Sequence, residues 1–386
     1  MKQKILIVYS KMIVGGSTTS LLSLLNELDY QRFEVDLLLF EKGGVLEKQI
    51  PREVNILDNS FLHMQKLPLS YVFAFIFAFV KSKLKRNILI RSQVMSKYLA
   101  KGQAPLDKQY DVAIAYLEFW PSQYVIQKVN AKRKILWLHV DYASTKLDMR
   151  YDKQMYERAD AVVTVSEACK KNLMELLPSV NNIYCIHNVL SAKTVRNLAA
   201  SYTIDTEQYA ADLIFVTVAR IDFNHKGHDR GITVFKKIKK LYLHKSFKWL
   251  IIGDGPDRKQ LQSMIEEADL KNEVILLGEL TNPHPYVKMA DFFFLPSRYE
   301  GQPMAVTEAQ MNGIIPLVTN YASAHNQIIN MVDGLICDNH DEALFSMINK
   351  IFSGEIDVCA MKKRLAETDY SNREEIEKIY QLLCDR

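Results

Sequence analysis

Thirteen short apolar runs divide this chain into two series. Residues 5–10, 33–40, 54–57, 111–117, 134–140, 161–166 and 183–187 make the first, and 213–219, 249–253, 274–278, 292–296, 314–319 and 335–337 make the second. Runs rich in Val, Ile, Leu and Phe that lack a polar face suit strands covered on both sides, and the stretches between them have helical spacing. This alternation implies a parallel α/β sheet flanked by helices, and two series imply two doubly wound domains facing a cleft. At 386 residues the chain has room for two such domains, each with its own core. The strand rhythm lapses near 190–211 into a polar, alanine-containing stretch. The expected division is therefore a Rossmann-like domain over 1–190, a second over 191–369, and a helix over 370–386. In that last segment Ile376, Ile379, Tyr380 and Leu383 fall at helical spacing, and the helix is expected to pack back on the first domain.

A net charge of +4 is mild and makes no case for nucleic acid as a partner. Five cysteines (Cys169, Cys185, Cys337, Cys359, Cys384) form no CxxC pair, which points to reduced thiols and away from a structural zinc. The apolar run after Met1-Lys2-Gln3-Lys4 breaks too early for a signal peptide and reads as a first strand, so the expected compartment is the cytoplasm. One segment departs from the average composition. Residues 66–101 contain eight Lys or Arg and no Asp or Glu, and they enclose the run Tyr71-Val72-Phe73-Ala74-Phe75-Ile76-Phe77-Ala78-Phe79-Val80. The run is too short to span a bilayer, which takes roughly 20 apolar residues. Two readings stand: an interfacial segment drawn to anionic lipid head groups, or a buried helix followed by a solvated basic one.

Candidate chemistry gathers where strands end. In Ser297-Arg298-Tyr299-Glu300-Gly301-Gln302-Pro303-Met304-Ala305-Val306-Thr307-Glu308 a buried strand turns into a helix opened by Pro303. Glu300 and Glu308 bracket that turn, and helix N-terminal N–H groups there are placed to face an anion. Val218-Ala219-Arg220 ends another strand and leads to Lys226-Gly227, which puts two cations at a carboxyl edge. Ile252-Gly253-Asp254-Gly255-Pro256 closes a third strand with a tight turn. In the first half, Val14-Gly15-Gly16-Ser17-Thr18-Thr19 follows the first strand without full GxGxxG spacing, and His139 ends the strand 134–140. Each has a structural reading as well: solvated cations, an ordinary turn, a carboxylate favouring a helix dipole, a packed histidine. No Asp-x-Asp, Walker A or Gly-x-Ser-x-Gly sequence occurs, so a departing diphosphate would be met by Arg220, Lys226 and helix-terminal N–H groups.

Taken in order, Arg220…Lys226-Gly227, Gly253-Asp254-Gly255-Pro256, and Glu300 with Glu308 seven residues apart resemble the retaining glycosyltransferases of family 4, which have the GT-B fold. Val165-Ser166-Glu167, His187-Asn188-Val189, and Asp333-Gly334-Leu335-Ile336 with Asp341-Glu342-Ala343-Leu344 extend the likeness. It spans nearly all of the second domain and is diffuse in the first, where it rests on Gly15-Gly16 and His139. The resemblance implies that Arg220 and Lys226 hold the donor diphosphate. It gives Glu300 the sugar hydroxyls, Glu308 the ribose, and Met304 and Ala305 a phosphate through their N–H groups. His139 would sit beside the donor sugar and Gly16 would admit the phosphate. No protein nucleophile is implied. Asn188-Val189-Leu190 replaces the commoner Asn-Gly-Val. The turn Tyr321-Ala322-Ser323-Ala324-His325-Asn326-Gln327 replaces a glycine-rich one, as in enzymes that build bacterial surface polysaccharides.

The expected activity is metal-independent transfer from a nucleotide-sugar, a UDP-sugar, to a lipid-linked or polysaccharide-precursor acceptor, with no bound cofactor. The expected place is the cytoplasmic face of the membrane, with residues 66–101 against it. The competing reading from another class is a non-catalytic GT-B partner that binds glycan or stabilises another transferase. Such a protein would be expected to lack Arg220, Lys226 or Glu300, and all three are present.

Overall fold

The computed structural model describes residues 2–384 except 14, 64–68, 85–88, 143, 144 and 146. Thirteen strands form among the described residues, all in parallel register, in two sheets. The first sheet contains β1 (Gln3–Tyr9), β2 (Phe33–Leu39), β3 (Asn55–Ile56), β4 (Leu106–Ala115), β5 (Val129–Leu138), β6 (Ala161–Thr164) and β7 (Ile183–Cys185), in the order β3-β2-β1-β4-β5-β6-β7. The second contains β8 (Leu213–Val218), β9 (Phe247–Ile252), β10 (Val274–Gly278), β11 (Phe292–Leu295), β12 (Ile315–Thr319) and β13 (Leu335–Cys337), in the order β10-β9-β8-β11-β12-β13. Each apolar run of the sequence thus forms a strand. β4 and β5 begin earlier than their apolar runs, because Leu106 pairs with Val129 and the polar residues that follow, such as Asp107 and Asn130, stay in solvent.

The second sheet shows why a continuous apolar run is needed. Side chains alternate across a strand, so Phe292 and Phe294 enter one core with Phe215, Trp249 and Leu317, while Phe293 and Leu295 enter the opposite core with Val216, Leu250 and Val318. Helices cover both faces, and a polar residue on either would be stranded. In each sheet the strand order reverses beside the first strand of its series, between β1 and β4 and between β8 and β11. Crevices outside the carboxyl ends of such reversals are where open α/β sheets take ligands.

The chain divides into two compact units, Met1–Val189 with Asn372–Arg386, and Leu190–Ser371. The C-terminal helix Arg373–Cys384 belongs to the first unit. There Ile376, Ile379, Leu382 and Leu383 are buried, and the Tyr380 hydroxyl donates to the Glu27 carbonyl at 3.0 Å and accepts from the Asp29 N–H at 2.9 Å. Glu375, also buried, accepts from the His187 backbone N–H at 2.9 Å and faces His187 Nδ1 at the same distance.

The basic aromatic segment forms the helices Leu69–Leu84 and Leu89–Gly102. Lys66 and the cations Lys85 and Arg86 lie outside the described residues. The buried-helix reading does not hold for the described side chains of the first helix. Phe75, Ile76, Phe77, Phe79 and Val80 are 38–56% exposed, and only Ala78 packs inward, against Ile90 and Val94. Cations lie over the exposed rings: Lys83 Nζ is 4.7 Å from the Phe79 centroid and the Arg91 guanidinium 4.6 Å from that of Phe75. Lys81 ties the helix down through Asp148 at 2.8 Å and the Tyr151 hydroxyl at 3.0 Å. No described helix is long and apolar enough to cross a membrane.

Candidate functional site

At the reversal between β8 and β11 two loops are drawn together by backbone geometry. After β8, Asp222 caps the short helix Phe223–Lys226 by accepting the Asn224 N–H at 3.1 Å, and Gly227 then takes a left-handed φ of +66°. A Cβ at Gly227 would collide with the Pro296 carbonyl just beyond β11, so glycine alone allows the approach. Arg298 returns the contact by donating its backbone N–H to the His225 carbonyl at 2.7 Å. Its guanidinium grips Asp229 with two bonds of 2.8 Å. Gly253, after β9, is the second such position: at φ +142° it passes so close to the Ala219 carbonyl that no side chain fits.

These loops bring Lys226 to Glu300. The ammonium lies 2.7 Å from Oε1 and 2.9 Å from Oε2, and Ser297 donates its hydroxyl to Oε1 at 2.7 Å. The Glu300 side chain is 7% exposed, so the carboxylate is held in one orientation by three bonds. Arg220 stands beside this pair, exposed, with no side-chain hydrogen bond or ion pair to any described residue. Arg220, Asp222, His225, Lys226, Tyr299, Glu300 and Gly301 line one open cavity of about 410 Å³. Three of the residues singled out in the sequence, Arg220, Lys226 and Glu300, therefore share one site.

Met304 and Ala305 open the helix Met304–Met311, where Pro303 is the cap residue and carries no side-chain cap bond. First-turn N–H groups have no intrahelical acceptor, so the helix presents partial positive charge at this end. Glu308 lies one turn further on, half-buried, without a side-chain hydrogen bond to any described residue. Its charge reaches the buried His284, whose pKa burial pulls down and Glu308 partly restores. The Tyr321–Gln327 turn braces this helix. Gln327 donates to the Pro303 carbonyl at 3.1 Å and to the Thr307 hydroxyl at 3.2 Å, and receives the Tyr321 hydroxyl at 3.2 Å.

Gly16 and His139 belong to the first unit. Gly16 begins the helix Gly16–Glu27 after β1, where Tyr9 meets the hydroxyls of Ser17 and Thr18 at 2.8 and 3.0 Å. Val14 lies outside the described residues. His139 follows β5 directly, and its ring packs 5.2 Å from that of Tyr116. Both ring nitrogens are shielded from solvent and make no hydrogen bond of good geometry. Burial pushes the His139 pKa down to about 4, with the neighbouring Tyr116 backbone and Asn188 amide offsetting only part of the effect. The imidazole is therefore neutral at pH 7. Sequence reasoning missed Ser297 as the second partner of Glu300, Gln327 as a brace, and Glu118, which accepts the His139 N–H at 3.1 Å.

A pH dependence of stability follows from this burial. His228, in the second unit, is likewise held near 4 by burial. An unfolded histidine takes up its proton near 6.5, so between about pH 6.5 and 4 these two histidines bind more protons in the unfolded chain than in the folded one. Stability from this source is full above 6.5 and is lost as pH falls toward 4. Thermal unfolding across that range should show the Tm decline, with a shallower slope in H228Q.

A model of group 1 glycosyl transferases matches residues 204–371, and a model of glycosyltransferase family 4 matches residues 14–192. The chain thus carries a glycosyltransferase family 4 domain followed by a group 1 glycosyl transferase domain. Two parallel-sheet units of this kind give this glycosyltransferase the GT-B fold. It is 24% identical to a Haemophilus influenzae glycosyltransferase over 372 residues, 95% of this chain and 94% of that one. A Methanocaldococcus jannaschii glycosyltransferase is 25% identical over 211 residues, where the match spans 52% of this chain and 51% of the relative's length. An Escherichia coli enzyme described as UDP-Gal:alpha-D-GlcNAc-diphosphoundecaprenol alpha-1,3-galactosyltransferase is 32% identical over 104 residues, 27% of this chain and 26% of that one. Among solved structures, Anabaena HepE in complex with UDP and glucose superposes over 100% of both chains with a TM-score of 0.61 at 15% identity, a likeness of fold.

Proposed function

We propose that this glycosyltransferase moves a hexose from a UDP-sugar to a lipid-linked or polysaccharide-precursor acceptor in bacterial surface glycan synthesis, retaining anomeric configuration and using no metal ion. The observation that carries the reading is the Lys226–Glu300 pair around one cavity at a strand-order reversal, beside an Arg220 whose side chain has no partner among the described residues. An ammonium has three donors, and two reach Glu300, which leaves one for a phosphate oxygen. Arg220 adds a planar fork for a second oxygen, so the departing diphosphate meets fixed positive charge. Glu300, oriented by Lys226 and Ser297, accepts from sugar hydroxyls near the reacting carbon.

The remaining roles follow the family pattern. Glu308 accepts from the ribose hydroxyls, and the Met304 and Ala305 N–H groups face a phosphate. His139 meets the donor sugar as a neutral imidazole, and Gly16 lets the backbone approach a phosphate. UDP bound to Anabaena HepE and the diphosphoundecaprenol-linked substrate in the name of the Escherichia coli relative support the donor and acceptor classes. The exposed face of Leu69–Leu84 rests, in this reading, against an anionic membrane at its cytoplasmic side, where a lipid-linked acceptor is found.

The test is thermal unfolding with UDP-, GDP- and ADP-sugars in excess EDTA. A ligand at 100 times its Kd stabilises by about 2.7 kcal/mol, a Tm rise on the order of 5–10 °C for domains of this size. UDP-sugars should give that rise and R220A should abolish it. An equal or larger rise with GDP- or ADP-sugars, or loss of the rise in EDTA, would overturn the donor or metal assignment.

A further inference from the structure

At the carboxyl end of β4, beside the reversal in the first sheet, the chain enters a turn of unusual shape. Phe119 has φ 64° and ψ −115°, a region that a residue with a Cβ rarely adopts, and it caps the helix Trp120–Lys128 without a side-chain bond. Strain of this kind persists only where the surroundings enforce it. Directly before it stands Glu118, 8% exposed, with no Lys, Arg or His paired to it among the described residues. A buried carboxyl without a counter-ion is costly, and burial pushes the Glu118 pKa up. Neither the strained turn nor the unpaired carboxyl serves stability.

Both converge on one bond. Glu118 Oε2 accepts the His139 backbone N–H at 3.1 Å. His139 is the first residue past β5, beyond the residues that pair with β4 and β6. The ring, packed on Tyr116, has no hydrogen bond of good geometry to set its direction. We propose that Glu118 is a positioning residue: it fixes the backbone of His139 and thereby the place of its imidazole beside the donor sugar. This rests on the donor-side role given to His139 above. It also gives the Phe119 strain a purpose, since a relaxed turn would carry the carboxyl away from the end of β5.

The test compares E118A with E118Q, because glutamine keeps an acceptor oxygen at the same reach and alanine does not. The probes are the ¹⁵N resonances of the His139 ring in histidine-labelled protein, identified by their loss in H139Q, and UDP release from UDP-glucose. E118A should move the His139 ring resonances and lower kcat about 100-fold, the scale of a small misplacement of a reacting group. The KM for UDP-glucose and the Tm should stay near wild type. E118Q should restore both readouts to within about threefold. Unmoved His139 resonances and wild-type kcat in E118A would overturn the proposal. So would an E118Q as impaired as E118A with resonances unmoved, since the carboxyl would then act by itself. Should E118A fail to fold, E118D, one methylene shorter, carries the same comparison. If the wild-type protein does not turn over UDP-glucose, glucose is not the sugar it moves, while the resonance comparison still decides the role of Glu118.

Discussion

Glu300→Ala lowers UDP release from the donor by about a thousandfold while the protein stays folded, the upper scale for losing one fixed electrostatic partner of a transition state. The two halves of the pair differ in what their loss leaves behind. Removing the carboxylate frees Lys226, whose side chain is 25% exposed and can turn its ammonium to water. Removing the ammonium leaves Glu300, 7% exposed, with Ser297 as its one side-chain donor among the described residues. Lys226→Ala should therefore cost up to about 3 kcal/mol of stability, the lower end for breaking a buried pair because part of this one reaches solvent. The double variant should recover most of that loss and no activity. Urea unfolding and UDP release measured on all three variants separate the two effects. Near-wild-type turnover in E300A would remove Glu300 from the site.

Replacing Ile76, Phe77 and Val80 together by Ser should weaken binding to vesicles containing anionic lipid by about 100-fold. Each of these side chains is roughly half exposed, so each has about 1 kcal/mol of burial still to gain at a lipid interface. Three such terms make about two decades. Lys83 and Arg91 stand over Phe79 and Phe75, which places their charge at the rim of the same face. Near an anionic surface each basic residue adds about 1 kcal/mol, and that part fades with salt. Binding should thus fall both in high salt and with neutral lipid. Flotation that ignores lipid charge and the triple substitution alike would sink the membrane reading.

The sequence made the strands legible because their signal is local. Phe292 to Leu295 are apolar on both faces, as a strand covered on both sides requires, and turn residues bound the run too closely for a helix. The cavity residues were legible for a related reason: Arg220, Lys226 and Glu300 all lie just past strand ends, and strand ends define one edge of a parallel sheet. What could not be read was pairing. Nothing in the spacing says that Lys226 reaches Glu300 across 74 residues, or that Ser297 completes the trio. Gln327 looked like one residue of an unusual turn, and only folding puts its amide on Pro303 and Thr307. Glu118 gave no signal because its partner is a backbone N–H, which carries no side-chain identity. The early starts of β4 and β5 were hidden by polar residues, since two strands that pair past the body of a sheet need no apolar face.

The placement of Arg373–Cys384 in the first unit has a consequence for how the chain is made. The second unit, Leu190–Ser371, is one uninterrupted segment. The first is written in two pieces, and its last piece leaves the ribosome only after the whole of the second unit. During translation the second unit is whole before the first is, which reverses the usual N-to-C order of domain completion. Until then Glu27, Asp29 and Gln3 at the start of β1 wait without the helix that later bonds to them through Tyr380 and Leu383. A nascent chain stalled at Ser371 would hold a finished second unit and an unfinished first one.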